Sequence, residues 1–515
     1  MSRTFVLRTV LDALREAGEL VGVEGVLPEV ATVVTDDSRA VVAGALFLAV
    51  RGTAHDGHDY LPAAESAGAA VAIVEDATRT ALPRIVVRSG RRAAALAASA
   101  AYDWPVRRLA LVGVTGTSGK TTVVSMLRYV LDGPETPAAS LGTLGVLLGS
   151  AGTPLPGGAG LTTPGPVELQ RVLRDLVDAG VRRVAMEVSS HALDQHRIDG
   201  VNFQAAVFIN LSRDHLDYHQ SMEAYFAAKA RLVEYLAPAG TAVVNADVTT
   251  WRALPDAPRT IRFGLTAGHH AIGQAEGGSR AGHDADAHLD ATVEVRAEDV
   301  VYSPSGSAWT LVAGDEHAAV LLPLIGDFNV SNALAAAAAA WSMSTPVSRI
   351  AERLSSLPQV PGRLERILTS PTVLRDYAHK PDALERALDA VRPFTSRRLI
   401  VVFGCGGDRD KGKRPIMGEI GERKADVVIL TSDNPRTENA ERILDDIEAG
   451  MSRPHERIED RRAAIQRALE LASPGDVVVL AGKGHETYQI RGTTSYPFDE
   501  KMIVAELAAS LAPPT

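Results

Sequence analysis

The chain has 515 residues, with 53 Lys plus Arg against 63 Asp plus Glu and a formal charge of −10. At roughly 150 residues per domain that length predicts about three domains, while 46% hydrophobic and 23% charged residues exclude a disordered chain and the acidic balance excludes a dedicated nucleic-acid binder. The single cysteine, Cys405, excludes an intramolecular disulfide and a cysteine-built zinc site, and points to a reducing cytosol.

Residues 1–20 interleave Arg3, Arg8, Asp12, Arg15 and Glu16 with apolar residues at helical spacing, which predicts an amphipathic surface helix and no signal-peptide core. Short strands over 45–50 and 70–74 follow among turn-rich stretches. Tyr102-Asp103-Trp104-Pro105 reads as a hinge, because a proline disfavours helix in the residue before it.

A second block opens with an apolar strand over 109–114. It runs into Gly113-Val114-Thr115-Gly116-Thr117-Ser118-Gly119-Lys120-Thr121-Thr122. A glycine-rich turn between strand and helix lets backbone N–H groups approach phosphate oxygens, and the helix N-terminus favours their charge. Lys120 would reach the β- and γ-phosphates and the Thr121 hydroxyl a magnesium ion. Val114 stands where the strict phosphate-loop pattern has its first glycine, and a plain helix-capping turn is the alternative. Gly-Lys-Thr directly after an apolar strand favours nucleotide binding.

Strands over 183–188 and 205–211 follow, the first carrying Glu187 and the second leading to Asp214-His215. Apolar strands alternating with helices predict a parallel sheet covered on both faces, with ligands beyond the carboxyl ends of the strands. A carboxylate and an imidazole on that rim suit Mg²⁺ near phosphates, although each alone reads equally as a strand-end cap. Asp199, Asp217 and His219 read as solvated, and Lys229 as a surface lysine on an amphipathic helix.

Residues 265–290 carry His269, His270, His283 and His288 without ligand spacing, and read as a mobile surface insertion. Residues 333–341 predict a buried Ala-rich helix capped by Ser331 and Asn332, too short to span a bilayer. With no membrane span anywhere, the expectation is a soluble cytoplasmic protein.

A third block starts near Pro361-Gly362-Arg363, with strands over 399–403, 426–431 and 476–481 in another doubly wound pattern. Polar clusters follow each strand: 403–415 with four basic residues, Asp433-Asn434-Pro435-Arg436, and Gly482-Lys483-Gly484-His485-Glu486. Each is compatible with turn chemistry. Arginine forks with Asp433 and Glu486 also suit a zwitterionic amino acid. Cys405 lacks a histidine partner and reads as a small buried residue. The expected fold class is α/β in three domains, 1–106, 107–359 and 360–515, the central one a phosphate-loop parallel sheet and the last Rossmann-like.

Taken together, the glycine loop, Glu187-Val188-Ser189-Ser190-His191, Asp214-His215 and Gly362-Arg363 resemble the ATP-dependent Mur ligases of peptidoglycan synthesis. The resemblance covers nearly the whole chain apart from the histidine-rich insertion and the extreme termini. It implies a UDP-substrate domain, an ATP-binding ligase domain and an amino-acid domain in that order, with closure needed to align the three ligands.

By position, the family resemblance implies UDP contacts at Ser38, Thr53, Ala54 and His55. It implies contacts to the muramoyl dipeptide at Thr162, Thr163, Ser189, Gln195 and Arg197. ATP falls to Gly116 through Thr122, with Asn329, Arg363 and Asp376. Lys120, Glu187, His215 and Lys229 become catalytic. Thr121, Glu187, His215 and a carbamylated Lys229 become the Mg²⁺ ligands.

Arg409, Asp433, Asn434, Pro435, Arg436, Gly482 and Glu486 match the diaminopimelate-adding branch, whose lysine-adding counterpart typically loses the arginine of Asp-Asn-Pro-Arg. The implied substrates are ATP, UDP-MurNAc-L-Ala-D-Glu and 2,6-diaminopimelate in its meso form, handled by a monomer with no nucleic-acid partner. The alternatives are a lysine-adding Mur ligase, another amide ligase such as folylpolyglutamate synthetase, and an inactive nucleotide-binding module.

Overall fold

The computed structural model describes residues 4–53, 55–158, 160–265 and 293–511. The predicted histidine-rich insertion and the candidate contact Ala54 lie outside the described residues. Two compact units emerge. Of the described residues, one comprises those within 4–264, 293–296 and 332–350, and the other 265, 297–331 and 351–511.

In the first unit, a strand Phe5–Val6 precedes the amphipathic helix Leu7–Glu16, which buries Leu7, Val10 and Leu14. A five-stranded sheet follows in the order Leu20–Glu24, Arg84–Val87, Ala69–Val74, Ala45–Leu48, Val34–Thr35. Its core is closed by that helix and by Gly90–Ala101, whose run of alanines lets the helix lie close to the sheet. Past Ala101 the chain turns through Asp103 and Trp104, both with positive φ, and the unit continues without interruption across the predicted hinge.

The larger sheet has Ala110–Thr115 at its centre, with Arg183–Glu187 on one side and Phe203–Phe208 on the other, all parallel. Glu187 stands opposite Val114 and Phe208 opposite Thr115, so all three strands deliver their following residues to one rim. Gly113 serves packing, since a Cβ there would come within 2.9 Å of the Phe203 ring. The sequence signal had missed the antiparallel edge formed by Gly145–Leu148 and Thr153–Leu155.

The alanine-rich helix spans Asp327–Ser342. It starts after Gly326, whose φ of 101° breaks the preceding chain, so Ser331 and Asn332 lie within the helix and do not cap it.

The second unit holds a six-stranded sheet in the order Glu365–Thr369, Thr372–Asp376, Val477–Ala481, Leu399–Phe403, Val427–Leu430, Glu456–Arg457, parallel except for the first pair. Leu384, Met417, Ile420, Ile443 and Ile447 cover one face; Ile465, Leu469, Ile503, Val504 and Leu507 cover the other. The doubly wound reading holds, and the loops after Asp376, Phe403, Leu430 and Ala481 emerge at one edge. Among the described residues no helix is long and apolar enough to cross a membrane.

Candidate active site

The glycine loop closes on itself where the helix Lys120–Leu131 begins. Gly119 supplies the left-handed turn at φ 87°, and a Cβ there would meet Asn332 Oδ1 at 2.6 Å, so only glycine fits. Lys120 Nζ donates to the carbonyls of Gly116 (2.8 Å) and Thr117 (3.0 Å), curling over the loop that it would use to meet phosphate. Thr121 and Thr122 are buried in the first helical turn.

A residue that the sequence reading overlooked holds this loop in shape. Asn210 Oδ1 accepts from the N–H groups of Thr117 (3.1 Å) and Ser118 (2.9 Å), and its Nδ2 donates to Ser118 O (3.0 Å). Thr117 Oγ1 is held in turn by Ser212, donating to its carbonyl and accepting from its N–H. An asparagine after an apolar strand looks like any strand-end cap, which is why only the structure reveals it. Removing both bonded groups leaves loop N–H groups unserved, at a cost on the order of 1–3 kcal/mol. Asn210→Ala is therefore expected to raise the KM for ATP by roughly ten- to a hundredfold at a nearly unchanged KM for the other substrates. An unchanged ATP KM in steady-state kinetics counts against the role.

Glu187 is 1% exposed at the end of its strand. Its Oε1 accepts from the N–H of Thr143 (2.8 Å) and its Oε2 from the Thr143 hydroxyl (3.3 Å). Gly142 makes room, because a Cβ there would lie 2.3 Å from Oε1. Thr163 Oγ1 donates to Glu187 O (2.9 Å) and accepts from Ser189 N–H (3.0 Å), while Ser189 Oγ caps the next helix at Ala192 N–H. Arg197 donates to Gln195 Oε1 and to Thr163 O. With Thr162 Oγ1 lying 3.4 Å from Thr143 Oγ1, residues Thr162, Thr163, Ser189, Gln195 and Arg197 form one connected group around Glu187, with Thr143 as an unpredicted member.

Lys229 corrects the residue-only reading. It is 1% exposed, donates to Gly116 O at 2.9 Å and lies 4.6 Å from the centroid of the Tyr225 ring. The helix Met222–Ala230 carries it inward, beneath the glycine loop. His215 adopts φ 53° and remains largely exposed, its ring edge-on to His191 at 4.8 Å. Asp199 and His219 also depart from the solvated reading: Asp199 is buried among Tyr235, His196 and Arg92, and His219 Nε2 meets Ser190 Oγ at 2.9 Å. Burial lowers the pKa of both His191 and His219 below the ordinary imidazole range.

Among the described residues no group of three or more His, Cys, Asp or Glu is arranged to hold a metal. A magnesium ion keeps waters and needs only one or two protein carboxylates beside substrate phosphates. The buried Glu187 carboxylate and Thr121 hydroxyl fit that demand, and a carbamate on Lys229 would supply the second carboxylate.

In the N-terminal sheet, Ser38 begins a short turn capped by Asp37, while Thr53 and His55 stand exposed on a loop closed by Gly52 N–H to His55 O (2.8 Å). His58, unpredicted, is buried behind that loop; its Nε2 accepts from Glu75 N–H, so Nδ1 donates to Asp56 at 2.6 Å.

In the second unit, described by itself, Asn329 is buried and donates to Ile325 O (2.8 Å). The Arg363 guanidinium lies 4.9 Å from the Tyr377 ring centroid. Asp376 accepts from Leu364 N–H, and burial pushes its carboxyl up to about 6 against the pull of Arg363. Gly362 packs so tightly on Gly484 and His485 that a Cβ would come within 2.3 Å of His485 N.

Asp433, Asn434 and Pro435 are buried beside Gly482–Glu486, and a Cβ on Gly482 would lie 2.5 Å from Asp433 Oδ2. Asn434 Nδ2 donates to Glu486 Oε2 at 2.9 Å. Arg436, at φ 53°, donates from Nη1 to Gly407 O at 2.8 Å. Arg409 is exposed and bonds to Asp408 O. Arg414, one of the four basic residues after 403, is wholly buried and gripped by Glu438 and Asp446, so it is structural. Cys405 is buried against Met417 and its thiol is pushed up to about 12 by that burial, which excludes it as a nucleophile.

Comparison with known proteins gives three domain matches: the Mur ligase family catalytic domain over residues 31–106, the Mur ligase middle domain over 114–340 and the Mur ligase glutamate ligase domain over 362–484. A UDP-N-acetylmuramoyl-L-alanyl-D-glutamate–2,6-diaminopimelate ligase from Geobacter metallireducens is 42% identical, covering 91% of this chain and 92% of the relative. The enzyme of that name from Synechococcus elongatus is 43% identical, covering 90% and 91%. A solved structure of such a ligase aligns with a TM-score of 0.66 at 31% identity, covering 99% of both chains. The MurF ligase of Thermotoga maritima in complex with ADP shares the fold, with a TM-score of 0.61 at 21% identity over 92% of this chain and 96% of that one.

Proposed function

The chain belongs to the Mur ligase family, and from that premise we propose that it joins 2,6-diaminopimelate to UDP-MurNAc-L-Ala-D-Glu at the expense of ATP, in peptidoglycan precursor synthesis. The observation that carries the amino-acid choice is the Asp433–Arg436 turn lying against Gly482–Glu486, two carboxylates and an arginine at the carboxyl edge of one sheet.

The chemistry begins with a poor acyl donor. The D-Glu side-chain carboxylate attacks the γ-phosphorus of ATP, the bond to the β-bridging oxygen breaks, and ADP leaves an acyl phosphate. The amine of the incoming amino acid attacks the acyl carbon, loses a proton, and expels phosphate. Nucleophile and γ-phosphate are both anionic in the first step, so Lys120, on the glycine loop that Asn210 holds in shape, offsets that repulsion. Glu187, Thr121, His215 and a carbamate on Lys229 would hold Mg²⁺, which would supply further charge neutralisation at the phosphates. Thr162, Thr163, Ser189, Gln195 and Arg197 form the connected polar group assigned to the muramoyl dipeptide, and Ser38, Thr53, Ala54 and His55 the loops assigned to UDP. Asn329, Arg363 and Asp376 are assigned to the nucleotide by resemblance alone, as is Arg409 to the amino acid. We propose three domains, 1–106, 107–359 and 360–515, and a monomer working in the cytoplasm.

An ATPase assay with the UDP-dipeptide and a panel of amino acids tests the reading, and Arg436 sharpens it. Diaminopimelate differs from lysine by a second carboxylate at its far centre. A charge-assisted bond to that group contributes on the order of 1.5–3 kcal/mol, so Arg436→Ala is expected to lower kcat/KM for diaminopimelate by roughly ten- to several-hundredfold. The poor rate with lysine, which lacks that carboxylate, falls far less. Equal losses for both amino acids make Arg436 structural and move the discrimination to Arg409.

A further inference from the structure

Lys483 is a fully buried cation that the reaction chemistry leaves unused; its relative exposure is 0%. It sits between Gly482, at φ 115°, and Gly484, at φ 54°, two left-handed positions that turn the chain so that its side chain points into the unit. A buried ammonium is costly unless it is paired and fully hydrogen-bonded. Its Nζ is paired by donating to Asn434 Oδ1 at 3.1 Å and to Glu486 Oε2 at 3.1 Å, and it lies 5.7 Å from the centroid of the Tyr488 ring.

These bonds fix polarity as well as position. Asn434 Oδ1 also accepts from Ile490 N–H at 2.9 Å, so both donors reach the amide oxygen and the amide can face only one way. Its nitrogen therefore points to Glu486 and gives one of its two hydrogens to Oε2 at 2.9 Å. Glu486 Oε2 thus receives two donors, from Lys483 and Asn434. The remaining Asn434 N–H is a donor suited to a carboxylate, and Glu486 Oε1 an acceptor suited to an ammonium. Side by side, they match the two charged groups of one amino-acid centre.

Resting on the amino-acid site proposed above, we infer that Lys483 is a positioning residue: it orients the Asn434 amide and the Glu486 carboxylate as a donor–acceptor pair for the zwitterionic centre of the incoming amino acid. Lys483 touches no substrate and acts through its two neighbours. Without its ammonium, the amide loses one of the two donors that fix its orientation and the carboxylate its counter-charge.

The test is steady-state kinetics on the full-length enzyme for wild type, Lys483→Met, Glu486→Gln and the double variant, with melting temperatures recorded alongside. Lys483→Met is expected to raise the KM for diaminopimelate roughly ten- to a hundredfold while the KM for ATP stays put. In the Glu486→Gln background the same change is expected to add clearly less than it costs alone, because one of its two routes to the substrate is already cut. The double variant carries no unbalanced buried charge, so it remains informative where Lys483→Met alone fails to fold. Parallel rises in both KM values, or effects that simply add in the double variant, overturn the inference and leave Lys483 a structural cation. Should wild type turn over a different amino acid, the substrate reading falls, and the Lys483 comparison is made with that amino acid instead.

Discussion

Lys120→Ala is expected to abolish ADP formation, with kcat down by at least about 10²–10³-fold, the range lost when one preorganised electrostatic group is removed from a transition state. The ground-state contacts of Lys120 are weak by comparison. Its Nζ donates to carbonyls of its own loop, those of Gly116 and Thr117, and the loss of these two bonds costs the fold little beside the loss in the transition state. The transition state is different: a carboxylate approaches a phosphoryl group already bearing negative charge, and a cation at the loop is then stabilising where no neutral side chain is. Melting temperature near that of wild type together with lost turnover is the expected pattern. Lys120→Arg is expected to recover only part, because the planar fork does not fit where a compact ammonium curls over glycine. Substrate-dependent ADP release at the wild-type rate in Lys120→Ala would remove the glycine loop from the chemistry.

The loop and the strand ends were legible because their signals are local. Gly119 has to be glycine for its φ of 87° and for the space next to Asn332, and such a requirement is written into sequence directly. Glu187 was legible through its place after an apolar strand in a parallel sheet, where every strand end reaches one rim. Lys229 was not. The short helix Met222–Ala230 carries alanines on more than one face, so nothing in its spacing says that the lysine turns inward. Asn210 was missed because its partners lie more than ninety residues away in sequence, at Thr117 and Ser118. Arg414 was misleading in the opposite sense: a basic residue in a glycine-rich loop looks like a ligand for anions, and its anions turn out to be Glu438 and Asp446 of the same fold. Glu438 is held down to about 2 by Arg414 above all, the mark of a built-in ion pair. Spacing reveals which element a residue belongs to; burial and tertiary partners decide whether it is scaffold or site.

Lys229→Ala is expected to be nearly inactive, with a loss comparable to that of Lys120→Ala, and to be partly rescued by a short carboxylate such as formate or acetate. Two lysines donate to one acceptor, the Gly116 carbonyl, at 2.8 Å from Lys120 and 2.9 Å from Lys229. Their nitrogens therefore lie within about 6 Å of each other, where two unit positive charges repel by about 3 kcal/mol at an effective dielectric of 20, before their other neighbours are counted. The Lys229 ammonium first loses a proton; addition of CO₂ to the neutral amine then forms an N–C bond and releases a second proton, so that the positive charge is replaced by a negative one. Repulsion from Lys120 becomes attraction, and the buried site gains the second carboxylate that a magnesium ion near Glu187 calls for. Truncation to alanine removes the amine and opens a space beside the Tyr225 ring. A small carboxylate entering it restores the missing charge without the covalent link, whereas chloride at equal ionic strength does not. Intact-mass analysis of the wild type under CO₂-enriched and CO₂-depleted buffers, read beside activity, separates the two roles open to Lys229. Activity that follows CO₂ supports the carbamate; wild-type turnover in unrescued Lys229→Ala shows that neither the amine nor its carbamate takes part.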